Sequence, residues 1–432
     1  MNDLAEIHGE RVSQWIKANG FSAAEGSSLI IPDLNGKIES VFFGVSEDPS
    51  PLAHAVLARR LPAGNYFFSG ERNAALDQLC WSMGGYQYAQ YKEPNGNMPK
   101  LGCKSDADAT RIAEGVYFTR DLINTPANDL GPNGLENAAR KLAKHHKAEI
   151  TIIKGNKLLE ANFPMVHAVG RASDQAPRVI DMVWGEAKNP SITLVGKGVT
   201  FDTGGLNIKP GSSMALMKKD MGGAANVLGL AHMIMDAKLP IRLRVVIGAV
   251  ENSISSNAFR PGDVLSSRKG ISVEIGNTDA EGRLVLGDCL AFGDEEKPQI
   301  MIDMATLTGA ARVALGPDLS PFYTDDDSFA GELSTLAGDY LDPVWRMPLW
   351  RPYHKLMSSN IADVNHINTS GTGFAGSITA ALFLSRFVEK AESWSHFDIY
   401  GWVPIEKPWA PVGGEAQATR AIYALLKTRY PA

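Results

Sequence analysis

From about residue 129 onward, short runs of apolar, largely β-branched residues alternate with segments whose apolar positions recur at helical spacing. No other feature restricts the fold of this chain as strongly. The runs are Glu149–Ile153, Val179–Trp184, Ile192–Val195, Leu243–Val250, Ile271–Ile275, Ile300–Met304 and Trp394–Ile399. The helical segments are Leu135–His145, Gly223–Ala237, Leu284–Gly293, Gly376–Glu389 and Glu415–Thr428. Continuous apolar runs suit strands covered on both faces, so the expected fold class is α/β, with a mixed, mostly parallel sheet sandwiched by helices.

Residues 1–104 read as a smaller N-terminal α/β domain. Leu4, Ile7, Val12, Trp15 and Ile16 recur at helical spacing, and the strands Ser28–Ile31 and Ile38–Gly44 flank the hairpin signal Asp33-Leu-Asn-Gly36. Helical patterns return at Pro51–Arg60 and Glu71–Met83, and Pro94–Lys104, rich in Gly, Asn and Pro, closes the segment. Residues 105–128 form a connector, a helix over Asp106–Ile123 stopped near Pro126. Residues 129–432 form the larger domain.

Composition narrows the function classes. Of 432 residues, 44% are hydrophobic and 21% charged, the mix of a folded soluble protein. A net charge of −6 argues against a chain built to wrap nucleic acid or coat an anionic membrane. Three cysteines, Cys80, Cys103 and Cys289, are too few and too scattered for a disulfide framework. The first twenty residues lack a secretory pattern, and no apolar run reaches the ~18 residues of a membrane helix. A cytoplasmic location is expected.

Polar residues concentrate after two of the apolar runs, where open α/β sheets form their sites. The first segment, Gly196–Gly205, continues to Lys209 and to Met217-Lys-Lys-Asp-Met-Gly-Gly-Ala-Ala225, and carries Lys197, Asp202, Lys209 and Asp220. The second, Gly276–Arg283, carries Asp279, Glu281 and Arg283, whose alternation aims them at a common point if the backbone is extended. Each residue has a plainer reading. Asp220 suits a helix N-terminus, the lysines suit the surface, and Thr278-x-x-Glu281 is a capping-box pattern. Together, however, four carboxylates exceed the cations able to neutralise them, and crowded carboxylates repel unless ions hold them. A cage for two divalent ions explains the set. With no histidine in either segment, oxygen donors favour Mn²⁺ or Mg²⁺ by hardness, with Zn²⁺ also able to bind tightly.

Val195–Gly205, Met217–Ala225 and the run Asn277-Thr-Asp-Ala-Glu-Gly-Arg-Leu284 resemble the signature segments of the leucyl aminopeptidase family, a group of dinuclear-metal exopeptidases. Arg120–Pro126, Arg260–Val264 and Ala305–Ala310 also resemble that family. The likeness covers residue 107 to the end, and nothing in the first hundred residues carries it. It implies a catalytic C-terminal domain in which Lys197, Asp202, Asp220 and Glu281 hold the tighter metal. Asp202, Asp279 and Glu281 would hold the exchangeable one. It further implies that Lys209 is the catalytic lysine and that Arg283 holds a bicarbonate ion acting as general base. Met217, Asn277, Thr306 and Gly309 match positions lining the site for the substrate's N-terminal side chain. The implied reaction releases hydrophobic, leucine-like residues from peptides with a free N-terminus, by two-metal activation of a bridging water in a homohexamer. The segments Tyr400–Pro404 and Pro411–Gln417 depart from the family's usual C-terminal pattern, and the N-terminal unit is short, which marks a divergent branch.

Three rival readings make different demands. Phe201-Asp-Thr-Gly-Gly205 resembles an aspartic-protease triplet, but a second copy is missing and the architecture is not all-β. A non-catalytic scaffold or regulatory protein on the same fold predicts loss of at least one of the seven metal and catalytic positions, and all are intact. A dinuclear hydrolase of non-peptide amides differs in accepting substrates without a free amine.

Overall fold

The computed structural model describes residues 9–94 and 96–431; Leu4 and Ile7, assigned above to the first helix, lie outside the described residues. The chain divides into two compact units. One contains the residues up to Ala89, Glu93–Thr110 and Ile405–Pro411; the other contains Gln90–Lys92, Arg111–Pro404 and Val412 onward.

In the first unit, the helix Glu10–Ala18 buries Val12 and Ile16 against Phe21 and Ile31. Strands Ser28–Pro32 and Ile38–Phe43 pair antiparallel, and the Asp33 carboxylate closes their turn by accepting from the amides of Asn35 and Lys37, each at 2.8 Å. Arg59 recruits the distant segment Ile405–Pro411 by donating to Glu406 at 3.0 Å and to the Pro408 carbonyl at 2.8 Å.

The second unit is built on an eight-stranded sheet: β1 (Glu149–Lys154), β2 (Arg178–Trp184), β3 (Ser191–Asp202), β4 (Arg242–Asn252), β5 (Ile300–Ala305), β6 (Ser320–Thr324), β7 (Val344–Arg346) and β8 (Ser393–Asp398). The spatial order is β7-β6-β8-β5-β3-β4-β2-β1. The β3–β4, β3–β5, β5–β8 and β6–β7 pairs are parallel and the other three antiparallel, so the sheet is mixed and mostly parallel. Its helices include α1 (Pro132–His146), α2 (Pro164–Gly170), α3 (Gly222–Asp236), α4 (Gly282–Asp294), α5 (Gly309–Leu315), α6 (Asp327–Asp339), α7 (Gly376–Leu384) and α8 (Thr419–Arg429). Side chains alternate along β3. Thr193 and Val195 face α4, while Gly196 faces α3, so helices cover both faces.

Several expectations need correction. The strand beginning at Ile192 does not stop at Val195 but runs to Asp202, so Lys197 and Asp202 are strand residues. Within that strand Gly196 is a packing position: a Cβ there would lie 2.7 Å from the Cα of Ala224, so only glycine lets α3 approach. Ile271–Ile275 is outside the main sheet. Its core, Ser272–Glu274, sits between Val264–Ser266 and Val364–Asn365 in a separate three-stranded sheet. Strands β6 and β7 carry little sequence signal because they are short and lack alternation. The helix expected from Glu415 starts only at Thr419, because Glu415 is held in an ion pair with buried Arg120 at 3.1 Å.

Asp303 on β5 and His396 on β8 are register partners, fully buried, with His396 Nδ1 2.6 Å from Asp303 Oδ1. The other Asp303 oxygen accepts from the Trp394 indole at 2.8 Å. Burial works to lower the His396 pKa, but the Asp303 carboxylate outweighs it and holds the imidazolium above the usual histidine range. A folded-state pKa raised in this way stabilises fully below the unfolded value of about 6.5, and the benefit is lost as pH rises through the folded value. Asp303→Asn strands one of the two donors, so a loss of about 3–5 kcal/mol is expected in denaturant titrations near pH 6. The gap from the parent protein should narrow at pH 9; an equal or wider gap there would contradict the charge assignment.

Candidate active site

The site forms at the carboxyl ends of neighbouring parallel strands β3, β4 and β5, the position open α/β sheets use for ligands. Lys197, only 4% exposed, points from β3 to Asp220 Oδ2 at 2.7 Å and Glu281 Oε1 at 3.2 Å, and donates to the Thr306 carbonyl at 3.1 Å. Asp202 ends the strand. Its Oδ1 accepts from the Gly204 amide and from Asn252 Nδ2, each at 2.8 Å. Its Oδ2 is 2.8 Å from Lys209 Nζ, which also contacts Asp279. The two lysines are therefore site residues rather than surface charges.

Asp220 does not cap α3. It lies in a tight helical turn, Met217–Met221, and its Oδ1 accepts from the Thr306 hydroxyl at 2.9 Å. Nor are Asp279, Glu281 and Arg283 in extended backbone, as their alternation suggested. Thr278–Ala280 is a 3-10 turn and Arg283 is already in α4. The capping box is not made. Asn277 caps the turn by accepting from the Asp279 amide at 2.8 Å, and Glu281 makes no cap bond. Thr278 instead donates to the Gly204 carbonyl at 2.7 Å and so ties the two acidic segments together. Gly282 keeps room for the lysine, because a Cβ there would fall 2.5 Å from Lys197 Cε.

The acidic groups therefore converge. Asp202, Asp279 and Glu281 bring carboxylate oxygens within 4.8 Å of one another, and Asp220 joins them through Lys197. Burial, reinforced by Asp202, pushes the Glu281 pKa up to about 8, and burial raises Asp220 and Asp279 as well. The same acids hold both lysines above their usual range although burial opposes it. Apart from the lysine ammoniums, the buried oxygens Asp220 Oδ2, Asp279 Oδ1 and Glu281 Oε1 meet no hydrogen-bond donor among the described residues. Four carboxylates against two ammoniums form a set suited to hard or borderline divalent cations.

A cavity of about 520 Å³ opens beside this cluster. Asp202, Asp220, Asp279 and both lysines reach it, and Met217, Thr306 and Gly309 also line it. Asn277, Glu281 and Arg283 are not among its lining residues. Arg283 is buried and donates to the His366 carbonyl at 2.7 Å, while its Nε has no acceptor among the described residues. Burial lowers its pKa to about 10. His366, pushed down to about 3 by burial and by Arg283, stays neutral and donates from Nε2 to the Asn277 carbonyl at 2.9 Å.

Three participants escaped sequence reading. Asn252 faces Asp202 in register and also donates to the Thr278 carbonyl at 3.0 Å. A polar residue closing an apolar strand was its only signal. His366 arrives from the smaller sheet with no local motif. Lys219, 7% exposed, lines the cavity, and burial pushes its pKa down to about 8.

Residues 117–423 match the family described as "Cytosol aminopeptidase family, catalytic domain". The chain belongs to the cytosol aminopeptidase family. Residues 2–103 match its "M17 aminopeptidase, N-terminal domain", so the family extends into the segment where sequence reading found no resemblance. A probable cytosol aminopeptidase of Roseiflexus castenholzii is 39% identical over 366 residues, 80% of this chain and 74% of that protein. The crystal structure of cytosol aminopeptidase from Coxiella burnetii is 43% identical with a TM-score of 0.95, covering 100% of this chain and 95% of that one. The bottromycin maturation enzyme BotP in complex with Mn is 29% identical with a TM-score of 0.85, covering 96% of each chain. This family member is a metallo-aminopeptidase, a hydrolase, and among its described residues no helix is long and apolar enough to cross a membrane.

Proposed function

We propose that this aminopeptidase uses two divalent ions to release N-terminal, leucine-like residues from peptides. The observation that carries the reading is the convergence of Asp202, Asp279 and Glu281 within a domain matched by the family's catalytic region. Lys197, Asp202, Asp220 and Glu281 would hold one ion, and Asp202, Asp279 and Glu281 the other, with Mn²⁺ or Zn²⁺ the leading identities and Mg²⁺ the third. When bound, the ions supply an activated water nucleophile and polarise the scissile carbonyl.

The chain's own groups do the rest. Lys209 stays protonated and can stabilise an oxyanion from the cavity wall, an effect that grows as water is excluded. Arg283 has an unfilled Nε for a bicarbonate ion, which would serve as general base. Met217, Thr306 and Gly309 shape the recess for the N-terminal side chain, with Leu216, Leu307 and Ile399 adding apolar surface. Asn277 supports that wall indirectly by capping the turn that carries Asp279. Residues 1–104, 105–128 and 129–432 would serve as N-terminal domain, connector and catalytic domain; a family match over residues 2–103 supports the first of these bounds. A homohexamer in the cytoplasm, acting on peptides rather than nucleic acid or membranes, completes the reading.

Leucine p-nitroanilide and its N-acetyl derivative separate this reading from a general amidase. The free amine should be cleaved and the blocked form should not. Equal cleavage of both would favour the non-peptide amidase, and cleavage of neither would favour a scaffold.

A further inference from the structure

One wall of the cavity carries two cations, Lys219 and Arg312, that no carboxylate contacts among the described residues. Lys219 is buried, yet its ammonium has no ion pair or hydrogen bond among the described residues. It rests on the face of the Tyr400 ring, 4.6 Å from the centroid. Arg312, from α5, stands 5.2 Å from the centroid of the same ring, and its Nη1 is 3.5 Å from the Tyr400 hydroxyl. Arg312 also has no carboxylate partner among the described residues.

The nearby acids are already engaged. Asp220 serves Lys197 and Thr306, and Asp202 and Asp279 serve Lys209. Asp398 accepts from the amides of Leu307 and Thr308 and from the hydroxyls of Thr308 and Ser377. Lysine is almost never fully buried without a counter-charge, because desolvating an ammonium is costly. A ring face offsets only a small part of that cost. An anion entering the cavity would complete the wall.

The position of these cations limits what the anion can be. Lys219 is two residues from Met217 in the same tight turn, and Arg312 is one helical turn beyond Gly309. Both therefore flank residues assigned above to the N-terminal side chain. We propose that Lys219, Arg312 and Tyr400 form a carboxylate subsite, so that this enzyme accepts peptides beginning with glutamate as well as leucine-like residues. The methylenes of a glutamate side chain would lie along Met217 and Leu307, with the carboxylate reaching the two cations. This rests on the aminopeptidase reading and extends its substrate class.

The test compares glutamyl and leucyl p-nitroanilides with the metal-loaded enzyme and with two variants, Lys219→Met and Arg312→Gln. The glutamyl substrate should be cleaved by the parent enzyme with a kcat/KM within tenfold of the leucyl one. Losing a charge-assisted contact of roughly 1.5–3 kcal/mol should lower the glutamyl-to-leucyl ratio by about 10- to 100-fold in Lys219→Met, with a smaller drop in Arg312→Gln. Arg312 is exposed, so its variant remains informative if Lys219→Met fails to fold. A ratio unchanged in the folded variants, or a glutamyl substrate cleaved more than tenfold slower by the parent enzyme, would overturn the subsite. So would a Lys219→Met defect confined to Leu-Gly, because the carboxylate recognised would then be the peptide's C-terminus. Failure to cleave either anilide would instead strike the aminopeptidase reading itself.

Discussion

Lys209→Met should lower kcat on leucine p-nitroanilide by on the order of 10²–10³, the usual effect of removing one preorganised oxyanion stabiliser, with little change in KM. The lysine is partly buried on the cavity wall and its ammonium is fixed by Asp202 and Asp279. Burial alone would lower its pKa, but the neighbouring acids more than reverse that, so Lys209 should add no ionisation to the rate profile between pH 6 and 9. Lys209→Arg keeps the charge but not the compact geometry and should recover only part of the rate. Measurements belong in saturating Mn²⁺, so that lost metal is not mistaken for lost catalysis. A Lys209→Met enzyme with parental kcat would remove this residue from the mechanism.

Chelation should abolish activity, and Mn²⁺ should restore it. Glu281 is the most informative ligand to alter because it is 1% exposed and is proposed to serve both ions. Outer-shell partners of metal ligands cost about 10- to 100-fold in affinity or activity when lost, so Glu281→Gln, which removes a direct ligand, should exceed that range. Stability offers an independent readout. An ion at a hundred times its Kd adds about 2.7 kcal/mol, so the chelated protein should melt at a distinctly lower temperature.

The pH dependence of that difference has a fixed sign. Without ions the Glu281 pKa is about 8, above its unfolded value of about 4.3, so the folded protein binds this proton more tightly. The resulting stabilisation is present at low pH and fades between those two values as pH rises. Bound divalent cations favour the ionised form and should reverse the trend, widening the gap between loaded and chelated protein from pH 5 to pH 8. Metal analysis showing no divalent ion, together with full activity in chelator, would sink the two-ion reading.

How far the site could be read from sequence varied by residue. Lys197, Asp202, Asp220 and Glu281 stood out because each lies in a short polar segment after an apolar run, and charge crowding is visible without coordinates. The backbone that delivers them was misjudged. Asp279 and Glu281 meet because a 3-10 turn passes into α4, whereas alternation implied an extended segment. The packing role of Gly196 has no local signal, because its neighbour on α3 is distant in sequence. His366 has no local signal and Asn252 only a weak one, since each matters through a partner on another strand or sheet.

The sequence alone determined the fold class, the acidic segments and the family they resemble, because apolar periodicity and short-range spacing are local properties of a chain. Tertiary structure decided which oxygens share a point, which lysine ends buried without an acid, and that Arg283 is buried without lining the cavity. Those outcomes depend on strand register and on helix approach across the sheet, and neither is encoded by any single stretch of residues.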